Sequence, residues 1–163
     1  YLIGDTVKFV NKRRAEIAVT GRTKHYLSLC GEHLSVENMN KAVELTAQEL
    51  DITVKEFTVA GIRYDSLFAH HWYIGTDDEV SPQQLRDKID AHLKVLNDDY
   101  VVERRHALKE VFVTVLPTSA FYGWMAHKGK LGGQNKFPRV LKKNLIADWE
   151  QYLESQQLAV NTP

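Results

Sequence analysis

The sequence contains a single cysteine, no excess of charge of either sign and no long apolar run. Cys30 has no second cysteine for an internal disulfide, so a reducing cytoplasm is the expected location. Lysine plus arginine (21) equals aspartate plus glutamate (21), so the chain lacks the electrostatic signature of nucleic-acid or anionic-membrane binding. No apolar run reaches the roughly 18 residues of a membrane helix, and no basic start leads into an apolar signal core. These absences predict a domain with neither nucleic acid nor membrane as a partner.

The rest of the composition is ordinary for a globular domain. Of the 163 residues, 44% are hydrophobic and 26% are charged, which is enough for one domain with its own core. The first residue is Tyr1 rather than methionine, and a structured pattern begins at once. We therefore expect a piece of a longer polypeptide.

The first third of the chain predicts short strands followed by one helix. Two β-prone runs, 6–10 and 15–20, are separated by a polar stretch, which favours a hairpin. Another short strand follows at 26–29. Ser35 is a good N-cap for an amphipathic helix over 36–50.

The middle of the chain continues with two strands and a helix. The strands are predicted at 52–60 and 67–74, and Gly61 ends the first of them. Ser81-Pro82-Gln83-Gln84 predicts a capping box that begins a helix with an apolar stripe. The remaining predicted elements are a loop or partial helix at 98–106, a buried central strand at 111–116, a short helix capped by Thr118 or Ser119, and a last helix at 141–153.

From residue 25 onwards this order is strand, helix, strand, strand, helix, strand, helix. It predicts the α+β class, close to a ferredoxin-like split βαβ sandwich in which helices pack on one face of a mostly antiparallel sheet. A small β-hairpin precedes it. Because many unrelated activities share this layout, the fold alone predicts no function.

The histidines and the cysteine do not form a recognisable reactive site. His70 and His71 are neighbours in a predicted strand, so their side chains point to opposite faces and cannot bind one metal. His25 and His33 lack further ligands at a zinc-like spacing, and no metal site is predicted. Cys30 lies in an apolar stretch, where a small buried hydrophobe is a more common role than a nucleophile.

The glycine-rich loop from Gly129 to Lys136 is the stronger candidate. A lysine on such a loop can bring a compact positive charge to a phosphate or carboxylate and neutralise it in a transition state. The loop lacks the spacing of a P-loop and does not lead from a strand into a helix. A plain surface loop is therefore the alternative interpretation.

Three segments resemble motifs of adenylate-forming enzymes. The first, Tyr1-Leu2-Ile3-Gly4-Asp5-Thr6-Val7, resembles the Tyr-Arg-x-Gly-Asp-x-Val segment that closes the large domain of these enzymes. The resemblance implies that Asp5 binds the ribose hydroxyls of ATP. Leu2 stands where arginine is common, so the contact of that arginine does not transfer.

The second segment runs from Gly21 to Leu34 and resembles the hinge-and-loop motif that opens the C-terminal domain of these enzymes. That motif is Gly-Arg-x-Asp followed by a strand and a glycine turn. The resemblance implies that Arg22 lies at the hinge and contacts the nucleotide, and that Lys24 and Gly31 are hinge or loop residues. Lys24 replaces the usual aspartate, which leaves the details of the hinge open.

The third segment is Gly132-Gly133-Gln134-Asn135-Lys136-Phe137-Pro138-Arg139-Val140. It resembles the Gln-x-Lys-x-Pro-Arg-x-Val segment near the end of the auxin-responsive family of acyl-acid–amido synthetases. The resemblance implies that Lys136 is catalytic and approaches the reacting carboxylate and the α-phosphate of ATP. Gly132 and Gly133 would let the loop move.

Taken together, the resemblance implies the C-terminal lid domain of an ATP-dependent acyl-acid–amino acid ligase. Residues 1–22 would be the end of the large adenylation domain, with hairpin and hinge, and residues 23–163 the lid. An acyl-adenylate would form from a small carboxylic acid and ATP, and an amino acid would then accept the acyl group. ATP and Mg²⁺ would be bound mainly by the N-terminal adenylation domain of the same polypeptide, so the 163 residues alone are expected to be inactive.

Two other interpretations stay open. The layout also suits a stand-alone ferredoxin-like regulatory domain that binds a small ligand. The first two motifs alone suit the lid of an acyl-CoA synthetase equally well. A long upstream reading frame with a Ser/Thr- and Gly-rich phosphate loop would exclude the regulatory domain, and a requirement for coenzyme A would identify the thioester-forming enzyme.

Overall fold

The computed structural model describes residues 5–22, 26–130, 132 and 136–158, and the elements given below belong to this part of the chain. The strands are β1 (Asp5–Asn11), β2 (Glu16–Arg22), β3 (Tyr26–Leu27), β4 (Leu34–Ser35), β5 (Glu56–Tyr64), β6 (Leu67–Gly75), β7 (Leu108–Leu116) and β8 (Val140–Leu141). The helices are α1 (Val36–Leu50), α2 (Pro82–Leu96), α3 (Asp98–His106), α4 (Thr118–His127) and α5 (Lys143–Ser155). The predicted α+β class is confirmed. None of the described helices is long and apolar enough to cross a membrane.

The predicted hairpin and first helix are both present. Strands β1 and β2 pair antiparallel, and the Asn11 side chain accepts hydrogen bonds from the backbone N–H groups of Arg13 and Arg14 at 3.0 and 3.2 Å in the turn between them. Ser35 caps α1 as predicted, and it forms a reciprocal capping box with Asn38.

The main sheet has four strands in the order β7-β6-β5-β8. Strands β5 and β6 are antiparallel, whereas β7 lies parallel to β6 and β8 lies parallel to β5. The sheet is therefore mixed, and the prediction of a mostly antiparallel pairing does not describe it. The reason is that β6 reaches β7 through two helices, α2 and α3, and a crossover of this length brings the next strand back in the same direction.

Strand β5 begins and ends later than predicted, and Gly61 lies within it rather than at its end. A Cβ at position 61 would overlap the side chain of Leu29, which packs on this strand. The glycine thus marks a close approach of two segments instead of a break. Residues 52–55 instead follow α1, whose last turn is closed by a 3.0 Å hydrogen bond from Ile52 N–H to the carbonyl of Ala47.

The apolar run at 111–116 predicts a central strand, but β7 lies at the edge of the sheet. It is nevertheless buried, with Val113 and Thr114 only 7% and 2% exposed. Helices α2 and α3 pack on this strand. An apolar run therefore indicates burial, which helices can supply without a second neighbouring strand.

Two predictions about helix starts need correction. Ser81 is the N-cap residue of α2 and Pro82 its first residue, as predicted, but in the described structure the Ser81 side chain makes no capping hydrogen bond and the predicted capping box is absent. Helix α4 was predicted to be capped by Thr118 or Ser119, but its N-cap is Pro117 and Thr118 is already helical. The backbone N–H and the hydroxyl of Thr118 both donate to Asp77, at 3.1 and 3.2 Å. This acceptor comes from the turn after β6, so no local pattern could predict it.

The segment 98–106, predicted as a loop or partial helix, is helix α3. At its start the Asn97 side chain accepts the backbone N–H of Tyr100 at 2.7 Å. Near its end Arg104 donates to Asp90 of α2 at 2.8 Å. These two polar contacts fix a helix that has little apolar periodicity of its own.

Helices cover both faces of the main sheet, whereas one covered face was predicted. Helices α1, α2 and α3 pack on one face around Trp72 and Leu93. Helices α4 and α5 pack on the other around Phe121 and Trp149. Successive residues of β6 alternate between these two clusters, as Trp72 and Tyr73 do.

The last helix was predicted over 141–153 and is α5. The first residue of that range instead belongs to β8, which pairs with β5. This short strand ends the segment that begins at Lys136, and it attaches the segment to the sheet.

Candidate functional site

Lys136, the predicted catalytic residue, is exposed and lies between α4 and β8. Within the described residues its side chain makes no hydrogen bond or ion pair. Gly132 is exposed as well, and a Cβ there would meet no atom within 4 Å, so crowding does not require the glycine. Gly133 lies outside the described residues. The ammonium group of Lys136 is thus presented on the surface of the domain.

The residue after Lys136 is anchored in the core. Phe137 is 5% exposed. Its ring packs against those of Phe121, Trp124 and Trp149, with centroids 4.9, 5.1 and 5.2 Å away. Aromatic pairs at these distances contribute stability beyond the burial of their area. The path of the chain is therefore fixed immediately after Lys136.

The next two residues are tied to strand β5. The Pro138 carbonyl accepts a hydrogen bond from Thr58 Oγ1 at 2.7 Å. Arg139 Nη1 donates to Glu56 Oε2 at 2.5 Å and to the Phe57 carbonyl at 3.0 Å. The Arg139 guanidinium also lies over the Phe57 ring, 4.4 Å from its centroid.

The other end of the loop is tied to α5. Trp124 Nε1 and Lys128 Nζ both donate to the Asp148 carboxylate, each at 2.8 Å. Gly129 then has a φ of 65°, the left-handed conformation that glycine adopts readily at the end of a helix. The loop that leads to Lys136 is thus held at both of its ends.

A shallow groove of about 500 Å³ opens beside Arg139. Apolar residues of α1 and β5 line it, including Val43 and Phe57, together with charged residues that include Lys55 and Arg139. Arg139 therefore connects the segment that carries Lys136 to the wall of this groove.

The turn that follows β3 contains Gly31, the predicted loop glycine. Its φ of 127° lies in the region that favours glycine. The fully buried Glu32 carboxylate accepts the backbone N–H groups of the three preceding residues at 2.9–3.2 Å. It also pairs with His70 Nε2 at 2.9 Å. Because an ionised carboxylate only accepts hydrogen bonds, Nε2 of His70 carries the proton.

Burial affects the two partners of this pair in different ways. It would raise the pKa of Glu32, but the hydrogen bonds from His70 and from the backbone outweigh it and lower that pKa to about 2. Burial lowers the pKa of His70, and the Glu32 carboxylate opposes this only in part. At neutral pH the pair is therefore a carboxylate with a neutral imidazole, and the turn is built around a buried charge.

Cys30 lies in the same turn with a half-buried thiol. Burial raises its pKa to about 12, and the charge of Glu32 adds to the effect. The thiolate is the nucleophilic form of cysteine and is hardly populated at such a pKa. The structure therefore favours the interpretation of Cys30 as a small, largely inert side chain.

His70 and His71 point to opposite faces of the sheet, as predicted. His70 contacts Glu32, whereas His71 Nε2 pairs with Thr114 Oγ1 at 2.8 Å on the other face. Across the described ranges, no group of three or more histidine, cysteine, aspartate or glutamate side chains could hold a metal ion. His25 lies outside the described residues.

The buried His71 is expected to make the folded chain sensitive to acid. Burial lowers its pKa from 6.5 to about 4, so between these pH values only the unfolded chain takes up the proton. Above pH 6.5 this residue does not change the free energy of unfolding. As the pH falls from 6.5 to about 4, that free energy decreases by about 3 kcal/mol. Urea denaturation at several pH values should show a flatter dependence in His71→Gln. An unchanged dependence, or the same flattening in the exposed control His106→Gln, would contradict this.

Asp5 and Arg22, both predicted to contact ATP, are cross-strand partners at the open end of the hairpin. The structure thus brings the two predicted nucleotide-binding positions side by side. Lys24, the predicted hinge residue, lies outside the described residues. The hairpin also carries large apolar side chains that are 50–60% exposed, namely Val7, Phe9, Val10 and Ile17.

The sequence patterns missed three residues that hold this arrangement together: Glu32, Asp148 and Arg139. Their partners lie 38, 24 and 83 residues away along the chain. Local patterns do not report such distant partners. Glu32 and Arg139 lie within two of the motif segments, but those motifs did not indicate their partners.

Most of the chain matches one known protein family. The family described as GH3 family C-terminal domain matches residues 37–144, well over half of the chain. None of the curated proteins matches the sequence.

Solved structures share the fold. A structure of GH3.15 acyl acid amido synthetase is 18% identical with a TM-score of 0.69, and it covers 94% of this chain and 29% of that chain. AtGH3.15 acyl acid amido synthetase in complex with 2,4-DB is 20% identical with a TM-score of 0.67 and the same coverage. Acetoacetyl-CoA synthetase from Streptomyces lividans is 16% identical with a TM-score of only 0.43, covers 94% of this chain and 22% of that chain, and adds nothing to the comparison. This chain spans less than a third of the length of these structures.

Proposed function

Since this chain belongs to the GH3 family as a C-terminal domain, we propose that it is the lid of an ATP-dependent acyl-acid–amido synthetase. A lid is here a small domain that covers the active site of a larger one. The observation that carries the proposal is the placement of Lys136, which is exposed although the next residue is buried in the core. A lysine with an anchored backbone and a free ammonium group can reach phosphate or carboxylate groups bound to a neighbouring domain.

In the proposed reaction, Lys136 acts in the first of two steps. A carboxylate oxygen forms a bond to the α-phosphorus of ATP, and the bond to the pyrophosphate leaving group breaks. Negative charge gathers on the oxygens around the phosphorus, where Lys136 neutralises it. In the second step the amine of an amino acid forms a bond to the acyl carbon and loses a proton, and AMP leaves.

ATP and Mg²⁺ would be held mainly by the large domain. Within the part of the chain that the structure describes there is no cluster of metal-ligating side chains. When bound, the cation would screen the charge of the phosphates. The contribution of this chain is then Lys136 from the lid and Asp5 and Arg22 from the base of the hairpin. The location proposed for the enzyme is the cytoplasm, where the unpaired Cys30 stays reduced.

We also propose that residues 1–22 belong to the large domain and residues 23–163 to the lid. The acyl-adenylate hydrolyses readily, so a lid that excludes water protects it. An isolated two-stranded hairpin is marginally stable in water. The exposed apolar side chains of β1 and β2 therefore support the proposal that the hairpin packs against another domain.

Replacing Phe9 tests this division. Phe9→Ser is expected to destabilise the full-length enzyme by about 2 kcal/mol, because a phenylalanine buried against the large domain becomes exposed. In the 163-residue chain, where Phe9 is 60% exposed, the same change should have little effect. Thermal unfolding of both proteins measures the difference. Val95→Ser, at another exposed apolar residue, is the control, and equal effects of Phe9→Ser in both proteins would contradict the division.

The proposed activity is tested by AMP release from the full-length protein with ATP, Mg²⁺ and a panel of carboxylic acids. AMP release that requires both an acid and an amino acid is the expected result and identifies the substrates. AMP release that requires coenzyme A instead of an amino acid would identify a thioester-forming enzyme. A folded protein that releases no AMP under any combination would contradict the proposal and favour a ligand-binding regulatory domain.

A further inference from the structure

We infer that Arg139 is a positioning residue for Lys136. It holds residues 136–141, here called the lysine segment, on strand β5 so that the ammonium group of Lys136 meets the reacting phosphate. The inference rests on the proposed function of Lys136. It assigns a role to a residue that does not itself touch the substrate.

The residues after Lys136 are fixed in three different ways. Phe137 is buried among aromatic rings of α4 and α5. The Pro138 carbonyl is bonded to a side chain of β5, and the Arg139 carbonyl accepts the backbone N–H of Val59 at 3.0 Å. Only the Arg139 side chain then adds a charged contact, to Glu56. A fixed backbone next to a free side chain is the arrangement that preorganises a charge without restricting its final approach.

The guanidinium group is suited to this clamp in a way that a simple cation is not. One nitrogen, Nη1, donates to both the Glu56 carboxylate and the Phe57 carbonyl, while the guanidinium carbon lies over the Phe57 ring, 4.4 Å from its centroid. A lysine could supply the charge but not a delocalised group that contacts the ring while it donates hydrogen bonds in fixed directions. The partners lie at the start of β5, where Glu56 and Phe57 pair with β6 over a nine-residue ladder, so the clamp holds on to a long strand of the sheet.

The exposure of Arg139 separates positioning from folding. Its side chain is 28% exposed at the edge of the groove, whereas the buried Phe137 belongs to the core on the other face of the sheet. A methionine at position 139 can therefore keep the apolar contact with Phe57 while it loses the hydrogen bonds. The domain should stay folded, with a less restricted lysine segment.

The experiment measures both half-reactions in the full-length enzyme. Arg139→Met is expected to lower kcat for acid-dependent ATP–pyrophosphate exchange about tenfold or more, because a misplacement of about 1 Å has effects of this size. The KM values for ATP and acid, and amide formation from supplied acyl-adenylate, should change less than twofold. Arg139→Lys should recover part of the exchange rate. Arg86→Met, at a half-buried arginine paired with Asp87, is the matched control and should leave exchange unchanged.

A double-mutant cycle distinguishes positioning from a general structural role. In the Lys136→Ala background, Arg139→Met should cause no further loss of exchange. A further tenfold loss there, or equal losses in both half-reactions, would overturn the inference. So would a wild-type exchange rate in Arg139→Met. A wild-type enzyme without acid-dependent exchange would instead refute the proposed function, and the inference with it.

Hydrogen–deuterium exchange supplies a second readout that does not depend on activity. Arg139→Met should speed exchange of the amides from Phe137 to Leu141 and leave that of the α2 amides unchanged. Unchanged protection of the lysine segment would show that Arg139 does not hold it, which would overturn the inference.

Discussion

Replacing Lys136 by alanine in the full-length enzyme is expected to slow acyl-adenylate formation by about 10² or more, because one positioned charge at the reacting phosphate contributes about 3 kcal/mol. The position of Lys136 gives the physical reason. Its ammonium group has no partner within the described residues, so no ion pair must break before it meets a phosphate. Acid-dependent pyrophosphate release measures the first step alone.

The second step and a neighbouring lysine serve as controls for this result. Amide formation from supplied acyl-adenylate should continue at nearly the wild-type rate in Lys136→Ala, since Lys136 is assigned to the first step only. Lys142 is exposed and follows β8 directly in the chain, and Lys142→Ala should leave both steps unchanged. Undiminished pyrophosphate release in Lys136→Ala would remove this residue from the mechanism.

The largest expected effect on stability comes from Glu32. Glu32→Ala is expected to lower the free energy of unfolding by about 3–5 kcal/mol, because each buried donor left without an acceptor costs about 1–3 kcal/mol. Three backbone N–H groups and His70 Nε2 would lose their acceptor at once. Urea denaturation of the 163-residue chain at pH 7 measures this change.

A surface glutamate provides the control for Glu32. Glu37 is half exposed and pairs with Lys8 at 3.9 Å, so Glu37→Gln should change stability by less than about 1 kcal/mol. The stabilisation from Glu32 should be complete above its ordinary pKa of 4.5 and be lost as the pH falls to about 2. Glu32→Ala within 1 kcal/mol of wild type would contradict the buried network.

Elements with a strong local signal could be predicted from the sequence. The hairpin was predicted because its turn is polar, and α1 because Ser35 precedes an apolar stripe. The opposite orientations of His70 and His71 follow from strand geometry alone. In each of these cases the physical cause lies within a few residues of the effect.

Features that depend on distant partners could not be predicted. Gly61 resembles a strand end in the sequence, but it lies inside β5 because Leu29 packs there. The acceptor for the first N–H of α4 is Asp77, which the sequence places 41 residues before Thr118. The resemblance to known motifs indicated Lys136, but it did not predict the contacts that fix the neighbouring backbone, because Arg139 and Glu56 lie 83 residues apart in the chain.

The most direct test of the lid proposal is acid-dependent ATP–pyrophosphate exchange by the full-length enzyme and by a version that ends at residue 22. We predict that removing residues 23–163 lowers the exchange rate by about 10² or more, comparable with Lys136→Ala, while ATP still binds to the remaining domain. Exchange at the wild-type rate in the shortened enzyme would contradict the account, because adenylate formation would then need neither Lys136 nor the domain that carries it.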